Sequence, residues 1–114
     1  MAQTNTGAPE AARFSIGIDL GTTNSAIAYA DLQADEHAGR VEILGIPQLV
    51  EAGEVTSRTL LPSFLYVVGE FDFPAGSLRL PWADDSSPPH IAGELARKRG
   101  AESPMRLVSP AGAA

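Results

Sequence analysis

The stretch from residue 16 to residue 25 is Ile16-Gly17-Ile18-Asp19-Leu20-Gly21-Thr22-Thr23-Asn24-Ser25. Starting at Phe14, apolar residues occupy every second position as far as Leu20, and small or polar residues lie between them. This period of two is typical of a β-strand with one apolar face. A polar turn with one glycine follows, and then a second apolar run over residues 26–30. Residues 14–30 therefore predict a β-hairpin with an exposed polar tip.

The tip of this hairpin has the chemistry of a phosphate site. Gly21, Thr22 and Thr23 offer backbone N–H groups and two hydroxyls, which are the donors that polyphosphate oxygens need. Gly21 has no Cβ, so a phosphate could approach the backbone closely. Asp19 ends the first strand on its small-residue face, and its carboxylate suits a hydrated Mg²⁺. From the residues alone, an ordinary hairpin turn with capping hydroxyls explains the same string equally well.

Other phosphate motifs are absent from the sequence. A Walker loop needs Gly-x-x-x-x-Gly-Lys-Ser/Thr between a strand and a helix, and no such string occurs. The dinucleotide motif Gly-x-Gly-x-x-Gly does not occur either. The arrangement at the hairpin tip is therefore distinct from both of these phosphate motifs.

Length and composition exclude several classes of protein. A chain of 114 residues can form one domain at most. The net charge of −6 argues against binding to nucleic acid, which requires a clustered basic surface. There are no cysteines, no signal peptide and no apolar run near the roughly 20 residues of a membrane span. We therefore expect a soluble cytoplasmic protein without a membrane partner.

The string from residue 16 to residue 25 closely resembles the opening phosphate motif of the DnaK-type seventy-kilodalton heat-shock chaperones. This resemblance implies an α/β fold, namely a partial actin-like (ribonuclease H-like) ATPase lobe whose mixed sheet is built on the N-terminal hairpin. It also implies ATP or ADP with Mg²⁺ as the cofactor. Asp19 would hold the Mg²⁺ through water, and Gly21, Thr22 and Thr23 would bind the β- and γ-phosphates. Asn24 would shape and line the turn.

Two later segments support the same resemblance. Residues 61–66 (Leu-Pro-Ser-Phe-Leu-Tyr) are similar to the Thr-Pro-Ser segment of the family, and residues 91–100 are similar to the strand and helix that follow in its divergent bacterial members. The expected organisation is a disordered leader at 1–13, an incomplete N-terminal ATPase lobe at 14–109 and a non-family tail at 110–114.

The chain also departs from the family pattern. The lysine helix expected after residue 109, the second phosphate hairpin, the adenosine-binding segment and the peptide-binding domain are missing. We therefore expect a truncated or frameshifted fragment that binds nucleotide weakly at best and hydrolyses no ATP alone. Cochaperones and client proteins are the implied partners of the full-length parent only.

Two alternatives remain open at this stage. The first is a non-catalytic remnant or interaction module that keeps the hairpin but binds no nucleotide. The second is a sugar or acetate kinase of the same architecture, although we find no sugar-binding segment. Ser63 lacks the Gly-x-Ser-x-Gly context of a nucleophile and is interpreted as a structural hydroxyl. His37 and His90 are interpreted as surface or loop residues, because neither has a second ligand at a metal-binding spacing.

The rest of the sequence predicts short elements. Strands are expected at residues 41–44, 63–68 and 91–92. Between residues 69 and 89 the prolines predict a loop, with Trp82 as its local hydrophobic anchor. A helix is expected at residues 94–99, ended by Gly100, with the basic residues 97–99 on its solvated face.

Overall fold

The structure is a computed structural model that describes residues 11–109. Within this range there are nine strands, one α-helix and one 3-10 turn. In chain order they are β1 (Phe14–Leu20), β2 (Asn24–Asp31), β3 (Val41–Leu44), β4 (Ile46–Glu51), β5 (Glu54–Arg58), β6 (Leu61–Pro62), β7 (Leu65–Val67), β8 (His90–Ala92), α1 (Glu94–Glu102), the 3-10 turn (Pro104–Arg106) and β9 (Leu107–Val108). The expected leader falls almost entirely, and the tail entirely, outside the described residues.

The predicted hairpin is confirmed. β1 and β2 pair antiparallel, with Phe14 opposite Asp31 and Leu20 opposite Ser25. β3 pairs with the other side of β2 and has the predicted bounds of 41–44. The short β6 pairs with the first two residues of β2. We call β1, β2, β3 and β6 the hairpin sheet. Among residues 11–109, β1 pairs with β2 only and so lies at the edge of the hairpin sheet.

The second part of the described chain contains two smaller sheets and the helix. β4 and β5 form a hairpin that the sequence analysis did not predict. β7 lies between β8 and β9, and α1 contacts β4, β7 and β8. The strand predicted at 63–68 is shorter in the structure, because the N–H of Phe64 turns back to the carbonyl of Pro62 at 2.8 Å. The prediction of a brief strand at 91–92 is confirmed by β8.

The hydrophobic core lies in this second part and not under the hairpin. Its centre is Tyr66, which has no exposed surface and is surrounded by apolar side chains of the strands, the loop and α1. The other buried members are Leu49, Leu78, Ile91, Leu95 and Ala96. Burial of apolar surface is the main driving force of folding, so this cluster is the principal source of tertiary stability.

The helix α1 is positioned by a hydrogen bond to Gln48 at its N-terminus and by close packing at Gly100. Gln48 is buried, and its Oε1 accepts a hydrogen bond of 2.9 Å from the N–H of Glu94, which caps the N-terminus of the helix. Its Nε2 donates to the carbonyls of Ile46 and Leu60 at 3.2 and 3.0 Å. The prediction that Gly100 ends the helix is wrong, since α1 continues to Glu102. Gly100 instead gives space, because a Cβ there would collide with the side chain of Leu107.

The predicted loop at residues 69–89 is confirmed, since no helix or strand falls within it. The prediction that Trp82 anchors this loop is wrong, because its side chain is 60% exposed. Leu78 is the residue of the loop that enters the core. Asp72 ties the loop to the core by accepting a hydrogen bond of 2.9 Å from the hydroxyl of Tyr66. An apolar contact and a charge-assisted hydrogen bond therefore hold the loop.

All strand pairings of the described residues are antiparallel. The mixed sheet and the actin-like lobe that the resemblance implies stay predictions. Within residues 11–109, no helix is long and apolar enough to cross a membrane.

Candidate functional site

The hairpin tip is a tight turn between β1 and β2. The N–H of Gly21 donates to the carbonyl of Asn24 at 3.0 Å, which closes the turn. A Cβ on Gly21 would collide with that carbonyl oxygen, so the turn itself requires glycine at this position. Thr22 and Thr23 are exposed, as predicted for a polar tip. The four sequence-predicted phosphate residues therefore lie together in one turn.

Ser63 holds the tip from the neighbouring segment. Its N–H donates to the carbonyl of Thr23 at 2.9 Å, and its Oγ donates to the carbonyl of Gly21 at 2.8 Å. The Oγ also lies 3.2 Å from the Oγ of Ser25. The prediction of a structural hydroxyl at Ser63 is confirmed. No local sequence pattern predicted that this hydroxyl would contact the tip.

Two amide hydrogens of the tip have no acceptor among the described residues. In the part of the chain that the structure describes, the N–H groups of Thr22 and Thr23 donate to no protein acceptor, whereas the carbonyls of Gly21 and Thr23 are both occupied by Ser63. Successive backbone N–H groups in a turn form a concavity that binds anions. The exposed donors are thus available to a phosphate group.

Asp19 lies two residues before the turn. It pairs with Ala26 in the strand register, so it shares the small-residue face of the sheet, as predicted. Its side chain is exposed and makes no hydrogen bond or ion pair with any residue in the range 11–109. No group of three or more acidic or histidine side chains in that range could hold a metal ion. A metal here would have one carboxylate and otherwise water or ligand oxygens, a set that fits Mg²⁺ with a bound polyphosphate.

Asn24 connects the tip to a basic cleft. It lines a cavity of about 280 Å³ together with Arg58, Glu94 and Arg97 and with residues 59, 60 and 62. Arg58 is paired with Glu94 at 3.3 Å, but Arg97 makes no ion pair with any other described residue. The cleft therefore brings an unpaired guanidinium to the residue that begins β2. Arg58 was not identified from the sequence, and Arg97 was interpreted only as part of a solvated basic face, because the two arginines are 39 residues apart and only the fold brings them together.

Glu94 is the acidic member of the cleft and is ionised at neutral pH. A hydrogen bond from Lys98, with Nζ and Oε2 3.2 Å apart, holds the pKa of this carboxyl below its ordinary value, and Arg58 acts in the same direction. Lys98 also lies 2.8 Å from Glu51, so the basic residues of α1 are partly neutralised. Arg97 and Lys98 lie on the exposed side of α1, as expected for a solvated basic face. The same expectation is wrong for Arg99, which is half-buried with its guanidinium over the ring of Phe73.

A larger cavity lies away from the tip. Its volume is about 710 Å³, and it is formed by residues 68–76 and 78 and by residues 86–89. None of the sequence-predicted site residues lines it. Asp72 is its acidic residue next to the core, and the N–H of Gly69 at 2.6 Å holds the pKa of this carboxyl below its ordinary value, with help from the hydroxyl of Tyr66. This cavity therefore does not belong to the phosphate site.

His37 and His90 are both exposed, which agrees with their interpretation as surface residues.

A scan against protein-family models, a search of curated proteins and a search of solved structures each found no match. The geometry of the tip and the resemblance of its residues are therefore the grounds for a functional proposal.

Proposed function

We propose that this chain is an ATP-binding fragment of a heat-shock-type chaperone ATPase and that its hairpin tip binds the phosphates of a magnesium nucleotide. The supporting observation is the pair of N–H groups at Thr22 and Thr23, three and four residues after Asp19; neither these groups nor the Asp19 carboxylate has a partner within residues 11–109. An anion site and a cation ligand therefore lie at one end of one hairpin. Mg-ATP offers a negatively charged polyphosphate to the N–H groups and a Mg²⁺ ion to the carboxylate of Asp19.

The tip is organised before any ligand binds. Ser63 fixes the carbonyls of Gly21 and Thr23, so the N–H groups between them do not have to be ordered when a phosphate arrives. Preorganised donors lose less conformational entropy on binding. The two threonine hydroxyls add donors that can rotate towards phosphate oxygens.

The binding is weak in this chain. Thr22 and Thr23 are exposed, so their hydrogen bonds to phosphate compete with water and contribute about 0.5–1.5 kcal/mol each. A few such bonds, opposed by the loss of translational and rotational freedom, correspond to a Kd of about 1 mM.

The tip contacts a phosphate from one side only, and phosphoryl transfer needs charges and a positioned water from several sides. We therefore expect no ATP hydrolysis above background.

The test is a titration of the full chain with Mg-ATP in which the amide signals of residues 21–24 are monitored by NMR. We expect these signals to shift with a Kd of about 1 mM for Mg-ATP. The shifts should be much smaller for ATP in the presence of a chelator that removes Mg²⁺. Asp19→Asn should remove the magnesium dependence. Asp35→Asn is the matched control, because Asp35 is an exposed aspartate in the loop between β2 and β3.

Three results would contradict the proposal in different ways. Submicromolar binding would show that the tip is not an incomplete site. Magnesium-dependent phosphate release that Asp19→Asn abolishes would show that the chain is a catalyst. No shift of residues 21–24 at several millimolar nucleotide would favour the second candidate, a non-catalytic interaction module. That alternative is favoured by one observation, the exposed apolar side chains of β1.

A further inference from the structure

The cleft beside the hairpin tip contains hydrogen-bond donors that no described residue uses. It is the cavity of about 280 Å³ that Asn24, Arg58, Thr59 and Arg97 help to line. Within residues 11–109, Arg58 donates from its Nε to Glu94 at 3.3 Å and makes no bond from its Nη atoms. In the same range, no hydrogen bond or ion pair involves the side chains of Asn24, Thr59 or Arg97. The cleft is therefore lined by donors without acceptors.

The charge of the cleft is opposite to that of the whole chain. Two arginines line it against one carboxylate, that of Glu94, which also lies 3.2 Å from Lys98. The chain as a whole has a net charge of −6. The larger cavity, by contrast, is lined by Glu70 and Asp72 and by no basic residue. Electrostatic attraction of an anion therefore favours the smaller cleft.

We propose that this cleft binds a phosphate group, with Arg97 as its principal ligand. The Nη groups of Arg58 and the side chains of Asn24 and Thr59 are the further donors. A guanidinium presents a planar fork of N–H groups that matches two phosphate oxygens at once. A phosphate group has three or more acceptor oxygens and can meet donors on several sides, whereas a carboxylate has two. The volume is at the small end for a ligand pocket and suits a small anion.

The cleft and the hairpin tip meet at Asn24. Its carbonyl accepts the hydrogen bond of 3.0 Å from Gly21 that closes the turn, and the same residue lines the cleft. The phosphate group can therefore belong to a nucleotide held at the tip or be free inorganic phosphate. The inference concerns the cleft itself and does not depend on nucleotide binding at the tip.

The experiment is a titration of the full chain with sodium phosphate at constant ionic strength, without nucleotide, in which the amide signals of Thr59 and Arg97 are monitored by NMR. We expect saturable shifts with a Kd of about 10 mM and smaller shifts with sodium acetate. Arg97→Gln should weaken phosphate binding by about tenfold, because it removes a charge-assisted hydrogen bond. Arg40→Gln is the matched control and should have no effect, because Arg40 is an exposed arginine outside the cleft.

A second variant should change the affinity in the opposite direction. Glu94→Gln removes the carboxylate that competes for Arg58 and repels the phosphate, so binding should become about threefold tighter. Loss of folding in either variant could not produce a gain of affinity. If Glu94→Gln does not bind phosphate more tightly, the proposed charge balance of the cleft is wrong.

A third variant tests whether the cleft is open in the full chain. Glu10 is the one acidic side chain among residues 1–10 and 110–114. Glu10→Gln should leave the phosphate affinity unchanged. An increase as large as that of Glu94→Gln would show that Glu10 occupies the cleft and would overturn the proposal.

The source of the phosphate group is decided by repeating the titration in several millimolar Mg-ATP. Competition would show that a phosphate of the nucleotide occupies the cleft, and unchanged affinity would show a separate site for inorganic phosphate; the cleft binds phosphate in both cases. Failure of Mg-ATP to shift residues 21–24 would remove the proposed function and leave this inference standing. No shift at Thr59 and Arg97, equal shifts with acetate, or an equal loss in Arg40→Gln would overturn it.

Discussion

The large apolar side chains of β1 and β3 in the hairpin sheet face solvent, whereas the hydrophobic core is formed by the segment from β4 to β9. Ile18 is 63% exposed and Val41 is 68% exposed, but Leu49 and Tyr66 are at most 2% exposed. The first region is held by strand pairing and the second by burial. Regions with few buried apolar contacts open at low free energy. The candidate phosphate site therefore lies in the region that should open first.

The two regions are connected by few contacts. β6 pairs with the beginning of β2, and Ser63 holds the tip. These contacts are polar, whereas the core is apolar. A change in the core should therefore unfold the second region, and a change at Ser63 should loosen the first without reaching the core. The following predictions test this difference.

The largest effect is expected for Tyr66→Ala. The side chain is fully buried at the centre of the core, and truncation of a buried aromatic residue costs about 3–5 kcal/mol of unfolding free energy. Urea denaturation followed by circular dichroism measures this change. Phe71→Ala is the matched control, because Phe71 is 90% exposed and should change stability by less than about 0.5 kcal/mol.

The same truncation in the hairpin sheet should have little effect. Ile18→Ala removes an exposed side chain whose main contact is its cross-strand neighbour Ile27, a pair worth about 0.2–1 kcal/mol. A loss of 3 kcal/mol or more would show that the face of β1 is covered in solution, which would end the contrast between the two regions.

The next largest effect is expected for Gln48→Ala. The buried amide caps α1 and bonds two carbonyls, and its removal leaves the N–H of Glu94 without a protein acceptor. An unsatisfied buried donor costs about 1–3 kcal/mol. Thermal unfolding should show this loss, and Gln33→Ala is the control because Gln33 lies in an exposed loop. Equal effects of the two variants would show that the helix cap contributes nothing.

Asp72 should make part of the stability dependent on pH. Its folded pKa is lowered, chiefly by the N–H of Gly69, so it stabilises the fold fully above the unfolded pKa of about 3.9 and loses this contribution as pH falls further through the folded value. Asp72→Asn should therefore destabilise the chain at pH 7 and differ less from wild type near pH 3. Asp84→Asn should show no such change, because Asp84 is exposed in the loop. A constant difference over this range would exclude the ionised carboxylate as the cause.

The elements that local patterns specify could be predicted from the sequence. The alternation from Phe14 to Leu20 has a period that only a strand satisfies, and β1 has these bounds in the structure. The end of α1 could not be predicted, because glycine commonly follows the end of a helix. Gly100 lies inside α1 instead, where a Cβ would collide with Leu107 of the packed strand β9. The hairpin of β4 and β5 was not predicted; its first strand contains Pro47, which is compatible with an edge strand.

The candidate site was predictable in part. A contiguous string contains Asp19, Gly21 and the two threonines, so the sequence brings them together without help from the fold. The contact of Ser63 with the tip and the approach of Arg97 to Asn24 depend on residues separated by about 40 to 70 positions. Such contacts follow from the pairing of β6 with β2 and from the position of α1, and neither has a local signal.

The smallest effect is expected for Ser63→Ala, and it tests whether the tip is ordered independently of the core. The variant loses the side-chain hydrogen bond to the carbonyl of Gly21 but keeps the bond from its own N–H to Thr23. A half-buried hydrogen bond of this kind contributes about 0.5–1.5 kcal/mol. We expect hydrogen exchange to become faster near residues 21–25, with no change at Tyr66 and Ile91 in the core. Ser57→Ala is the control, because Ser57 is an exposed serine in β5. Because a looser tip must be ordered when a phosphate binds, Ser63→Ala should also weaken Mg-ATP binding by up to about tenfold. Faster exchange throughout the core would show that the two regions unfold as one unit.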